Sequence, residues 1–182
     1  MDAELHRGLT VLAGAIQIAV GLILLSGGLG KMRRWHSFQA ILGAYEILPA
    51  ALVAPIAFAL VPVELLIGVS VLLGWNIPVS TGAAAGLLAI YAIAMAINIA
   101  RGRTSIDCGC FQSIRQPVEG RLVARNLLCS CALLASGVFA DFEVAERALY
   151  ALPAGLTLFV LYLGLSTVWA LDASRIAAFS RN

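Results

Sequence analysis

Charge is what this sequence has least of: Asp, Glu, Lys and Arg make up 12% of its 182 residues, against 61% hydrophobic residues and a mean hydropathy of +0.95. So little charge cannot cover a water-facing surface, which excludes an ordinary soluble domain and points to an integral membrane protein in a lipid bilayer. The net charge is only +2, and the arginines are scattered at segment ends with no basic face and no interleaved aromatics, so nucleic acid is not a partner to expect. Gly27-Gly28-Leu29-Gly30-Lys31 lacks the spacing and the preceding strand of a phosphate loop. No internal repeat, low-complexity stretch or separate soluble domain stands out. The acidic start Met1-Asp2-Ala3-Glu4 and the length of the apolar run after it argue against a cleaved secretion signal, so that run is expected to be kept as a helix. Cysteine is scarce, with 4 in the chain, and the pairs Cys108/Cys110 and Cys129/Cys131 have a Cys-x-Cys spacing that makes zinc the weaker reading.

What is present is a series of apolar runs. A bilayer core about 30 Å thick needs roughly 20 apolar residues in helical form. Residues 9–29, 50–75, 79–100, 122–140 and 149–171 meet or nearly meet that length, which predicts an all-α polytopic bundle forming a single membrane domain. Gly14, Gly21, Gly27 and Gly28 in the first span, and Gly82 to Gly86 in the third, offer surfaces for close helix approach. The first span is expected to end at a glycine-rich, basic stop, Gly30-Lys31-Met32-Arg33-Arg34. Residues 35–48 place Trp35, Phe38, Ile41, Leu42 and Tyr45 at helical spacing, which predicts a short amphipathic helix at the interface, either a connector or a lid over a site. The second span carries Pro55, Pro62 and a lone acid, Glu64. A mid-membrane carboxyl is costly, so Glu64 is expected to face the bundle interior, as a proton or cofactor group or as a structural hydrogen bond.

The stretch Arg101 to Phe111, inside the loop 101–121, is the one strongly polar interruption that carries redox-capable groups. Cys108 and Cys110 sit beside Asp107, Arg101 and Arg103, where burial as packing residues is not expected. They read as a dithiol or disulfide whose short Cys-Gly-Cys ring depends on Gly109 and would be labile. Cys129 and Cys131 lie one to two turns into the fourth span on the same side, so all four thiols are expected to converge. At 100° per residue the two point to nearly opposite helix faces, so one of them can meet the loop. Arg125, one turn before Cys129, is placed to stabilise a thiolate. The bland alternative is that both are small packing residues.

Gly30-Lys31, Tyr45-Glu46-Ile47-Leu48-Pro49, Pro62-Val63-Glu64-Leu65 with Gly68, and above all Asp107-Cys108-Gly109-Cys110-Phe111 resemble the methylamine utilisation MauE family, within the wider DoxX-like redox-associated membrane proteins. The resemblance covers nearly the whole chain. It implies a DoxX-like or vitamin K epoxide reductase-like four-helix core with a further C-terminal transmembrane helix. It also implies participation in maturation of the methylamine dehydrogenase small subunit, which carries tryptophan tryptophylquinone, beside a thioredoxin-like MauD-type partner. On that reading Cys108, Cys110, Cys129 and Cys131 relay thiol-disulfide electrons, with Glu64 near an acceptor such as a quinone. Arg101, Arg103 and Phe111 then meet the partner. In the reductase family a Cys-x-x-Cys opens the fourth helix, whereas here Cys129-Ser130-Cys131 has one residue fewer. The alternative from a different class is a non-catalytic membrane anchor or export factor that docks maturation proteins. A transporter is disfavoured by the lack of inverted repeats and by Glu64 being a solitary acid.

Two arguments about sidedness oppose each other. Lys31, Arg33, Arg34, Arg101, Arg103, Arg115, Arg121, Arg125, Arg175 and Arg181 fall on one side and only Arg7 and Arg147 on the other, which favours a cytoplasmic cysteine loop. Disulfide chemistry belongs on the oxidising side of a bacterial inner membrane, which favours the periplasm. The functional argument is preferred.

Overall fold

A computed structural model describes residues 2–108, 117–139 and 147–179 of the chain. The described residues form α1 (Asp2–Arg33), α2 (Trp35–Ala44), α3 (Ala50–Leu73), α4 (Ile77–Ala100), α5 (Gly120–Val138) and α6 (Leu152–Phe179), the last entered through a π-helical turn at Arg147–Ala151. Among the described residues, 5 helices are long and apolar enough to cross a membrane, so the protein is an all-α, multi-pass membrane bundle. Their outward faces carry Phe58, Leu66, Leu73 and Trp75, all largely exposed, which suits contact with lipid tails and would be an aggregation surface in water.

The first span is longer than the basic stop suggested. Its backbone ladder runs through Gly27 and Gly28, and even at Arg34 the bonds Arg34 N–H to Gly30 O (3.1 Å) and Phe38 N–H to Arg34 O (3.0 Å) carry the helical path into α2. Glycine is tolerated here because α3 needs the room. A Cβ on Gly21 would lie 3.1 Å from the Gly68 carbonyl, one on Gly68 would lie 3.2 Å from the Gly21 carbonyl, and one on Gly28 would strike Leu65 at 2.7 Å.

Contacts continue along this edge in antiparallel register. Gly28 meets Leu65, Lys31 meets Glu64, Trp35 meets Phe58, Phe38 packs with Ala57 and Val61, and Gly43 faces Val53. As one residue number rises its partner's falls in step, so α2 prolongs the α1–α3 hairpin and lies along the first half of α3. The hairpin closes through the Tyr45–Pro49 turn, where Glu46 adopts a left-handed conformation with φ of 47°. An L-residue held there costs about 1–3 kcal/mol and persists only where its surroundings impose it.

The far end of α3 stops at Gly74, left-handed at φ 70°, with Trp75 N–H returning to Ser70 O. After left-handed Asn76, Pro78 sits in the first turn of α4, where its missing N–H costs nothing. Helices α4 and α5 are antiparallel. Ser130 Oγ donates to Ala85 O at 2.9 Å, and a Cβ on Gly137 would lie 2.9 Å from Thr81 Oγ1. Of the small residues expected to pack in α4, Ala84 and Ala85 are buried, while Gly82 and Gly86 face open space. Helix α1 is the hub, since it also holds α5 through Gln17 Nε2 to Ser136 O (3.3 Å) and α6 through Gly155, where a Cβ would strike Ile18 at 2.7 Å. The inner core joins Val20, Leu24, Val71, Ala84, Leu88 and Leu133.

Candidate functional site

The cysteine loop is pinned at its neck. Asp107 pairs with Pro117 as an isolated antiparallel bridge, and Val118 N–H donates to Ile106 O at 3.0 Å. Val118 is fully buried, and it clusters with Tyr45, Met95 and Leu122, against which Ile106 and Cys108 pack. Cys108 thus stands at the neck, packed against this cluster. Gly109, Cys110 and Phe111 lie outside the described residues.

Arg101 and Arg103, expected to meet a partner, are turned toward the chain's own α2–α3 turn. Arg103 binds both carboxylate oxygens of Glu46 at 2.7 Å and donates to Ala44 O at 3.1 Å, while Arg101 Nη1 donates to Glu46 O at 3.2 Å. A two-pronged guanidinium–carboxylate contact fixes orientation as well as distance, which explains how Glu46 is kept left-handed. The adjacent Tyr45 then points inward and its Oη donates to Cys108 O at 3.3 Å. The latch thus positions the backbone of the first cysteine.

Beneath Cys108 lies a cavity of about 70 Å³ walled by Phe38, Ile41, Leu42, Tyr45, Met95 and Tyr91, with Lys31 also on its lining. Helix α2 is therefore part of the wall of a site and more than a connector. Lys31 and Glu64 form a buried ion pair, with side chains 4% and 3% exposed. Tyr91 Oη lies 3.2 Å from each, accepting from Lys31 Nζ and donating to Glu64 Oε2. Lys31 Nζ also stands over the rings of Tyr91 (4.7 Å) and Phe38 (5.6 Å). Glu64 is thus not the solitary acid that its isolation in the second span suggested. Its partner comes from the supposed basic stop of the first.

Glu64 does not line the Cys108 cavity. It faces a second, smaller one of about 20 Å³, shared with Lys31, Tyr91, Leu24, Arg125, Asn126 and Tyr162. Asn126 is buried there, and its Nδ2 has no hydrogen-bond partner in the structure. Arg125 is buried with its guanidinium 5.2 Å from the Tyr162 ring centroid. Lys31 and Tyr91 line both cavities, and Tyr91 packs against the clusters of both Cys108 and Cys129.

The three described thiols lie in different surroundings, and Cys110 is outside the described residues. Cys129 is half-buried against the Leu24–Leu88 core and Cys131 is exposed on the outward face, and both are free. Cys108 packs against the Tyr45–Met95–Val118–Leu122 cluster, whereas Cys129 packs against the Leu24–Leu88 core. Among the described residues no three His, Cys, Asp or Glu side chains gather where they could hold a metal ion.

Sequence reasoning missed Lys31, Tyr91 and the positioning roles of Tyr45 and Glu46. A signal existed for Lys31, which follows Gly27 and Gly28 on a face already read as a surface for close helix approach. None existed for Tyr91, an ordinary aromatic inside an apolar run.

A family profile described as "Methylamine utilisation protein MauE" matches residues 9–140. The chain is 34% identical to "Methylamine utilization protein MauE" of Paracoccus denitrificans over 90% of each chain, and 36% identical to the protein of that name in Methylorubrum extorquens over 78% of each. A third, from Methylophilus methylotrophus, is 29% identical over 86% of this chain and 85% of its own length. No solved structure matches the chain significantly.

Proposed function

Because the chain belongs to the MauE family of methylamine utilisation proteins, we propose that it serves methylamine utilisation as a membrane thiol-disulfide relay for maturation of the methylamine dehydrogenase small subunit. Cys108 and Cys110 exchange disulfides with a periplasmic thioredoxin-like, MauD-type partner. Thiolate attack proceeds through a mixed disulfide, which requires an accessible sulfur. The observation that supports this reading is the placement of Cys108, clamped through Tyr45 at a loop neck and facing a cavity that also contains a cation, Lys31. Cys129, packed against the core on the inward side of α5, is the thiol that follows in the relay. Cys131 faces outward and is the weaker candidate of that pair.

The Cys108 cavity matches a quinone-class acceptor in chemistry, since its walls are apolar and aromatic while Lys31 and Tyr91 supply donors for a carbonyl oxygen, but at about 70 Å³ it would have to widen toward the roughly 300 Å³ of a ligand pocket to admit one. Such a group supplies two-electron, two-proton acceptance when bound. The protein's part is to orient it and exclude water.

Periplasmic placement of the loop in a bacterial inner membrane belongs to the same reading. The opposing charge bias loses weight, because Lys31 is consumed by Glu64, Arg103 by Glu46 and Arg121 by Glu119, while Arg125 is buried.

Trapping tests the reading. A Cys110→Ser chain, expressed with the thioredoxin-like partner, is expected to accumulate a mixed disulfide through Cys108 and to fail to support growth on methylamine in a strain lacking its own copy. Full growth with no adduct would leave only the anchor reading.

A further inference from the structure

A thiol half-buried in apolar surroundings, as Cys108 is, does not ionise readily, because a new charge must be created where water is scarce. The surroundings of Cys108 offer another route. Its cavity is also lined by Lys31 and Tyr91, and both are bonded to a Glu64 carboxylate that is itself almost fully buried. We propose that this Lys31–Glu64–Tyr91 cluster is the proton acceptor for Cys108, so that the thiolate forms by moving a negative charge from Glu64 to sulfur and not by creating one.

The inference rests on the reading that Cys108 is a reacting thiol. In the step, the Cys108 S–H bond breaks with its electron pair left on sulfur, and an O–H bond forms on Glu64. The Tyr91 hydroxyl relays the proton, giving its own to Glu64 Oε2 and taking one from the cavity side. Lys31 stays protonated throughout and exchanges a carboxylate counter-ion for a thiolate. No electrons change hands, and the total charge of the cluster is unchanged.

The groups that face this cluster come from every packed element: Lys31 of α1, Tyr45 at the end of α2, Glu64 of α3, Tyr91 of α4, Arg125 of α5 and Tyr162 of α6, with Asp107 next to Cys108 in the chain. Arg125 stacks on Tyr162 across the inner cavity and keeps its charge in both states.

Two sites that share one proton titrate as a pair. Over the pH range in which the pair holds one proton, the thiolate fraction is set by the internal equilibrium and does not follow pH. Burial widens that range, because gaining or losing a proton changes the charge of an enclosed cluster.

The test uses the full-length reduced protein carrying Cys110→Ser, solubilised in detergent and reacted with N-ethylmaleimide, with the Cys108 peptide quantified by mass spectrometry. The rate at Cys108 is expected to change less than about threefold between about pH 6 and pH 8, where a thiol titrating alone falls about tenfold per unit below its midpoint. Adding Glu64→Gln removes the acceptor and is expected to restore the tenfold-per-unit dependence. The double variant Lys31→Met with Glu64→Met, which removes both charges and leaves no buried ion unpaired, is expected to do the same. A steep profile in the parent, or a flat one in either charge variant, would overturn the proposal. Alkylation needs no protein partner, so a steep profile with normal adduct trapping refutes this inference alone. A flat profile with no adduct refutes only the relay.

Discussion

The Lys31–Glu64 pair shows how one buried contact changes the meaning of two residues. An ion pair out of reach of water stabilises little against an apolar pair of the same volume, but removing one partner strands a charge and costs about 3–5 kcal/mol. Lys31→Met alone or Glu64→Gln alone is therefore expected to lower the thermal unfolding midpoint strongly in detergent. Lys31→Met combined with Glu64→Met should recover most of the loss. Additive losses in the double variant would show that the charges are not paired. Glu64 was legible as an interior acid, because nothing else tolerates a carboxyl in the middle of a span. Its partner was not legible, because the two residues are 33 apart in sequence and only the register of α1 on α3 brings them level. That register depends on glycines. Gly68→Val is expected to push α1 away from α3 and to cost about 1–3 kcal/mol through overpacking, read from the same thermal measurement.

At the scale of elements, the apolar runs and the short helix after the first span could be read from hydropathy and periodicity. Phe38, Ile41, Leu42 and Tyr45 recur at helical spacing, and the same residues wall the Cys108 cavity. What periodicity could not supply was direction, since a short amphipathic helix can lie flat or continue its predecessor. Only the matching rows of Trp35 on Phe58 and Gly43 on Val53 show that α2 continues α1. Arg101 and Arg103 illustrate the same limit, because two arginines in a loop look available until the turn that binds them is located. Their side of the latch is partly solvated, with Arg103 31% and Glu46 69% exposed, so it contributes at most about 1 kcal/mol to stability. Arg103→Ala is accordingly expected to shift the unfolding midpoint only slightly. The same change frees Tyr45 from its position over the loop, so Cys108 alkylation at fixed pH should change severalfold. Unchanged alkylation would show that the latch does not position the cysteine.

For the molecule as a whole, α1 is the hub on which α3, α5 and α6 pack, and the neck of the cysteine loop, where Asp107 pairs with Pro117, packs against Tyr45, Met95 and Leu122. Lipid-facing side chains cover the outside, while the polar groups run inward from Cys108 through Lys31 and Tyr91 to Glu64, Arg125 and Asn126. On the proposed relay, this internal polar path, in a chain with so few charged residues, is the route by which a proton leaves Cys108. Overall hydropathy made the membrane legible, but the path depends on which faces of separate helices meet, and no single helix encodes that. The central claim is most directly tested by labelling intact cells with a membrane-impermeant maleimide before and after reduction and quantifying Cys108 and Cys110. The account predicts that both sulfurs label from outside the inner membrane and that most of the label appears only after reduction. Complete labelling without reduction, seen only once the cells are broken open, would contradict it.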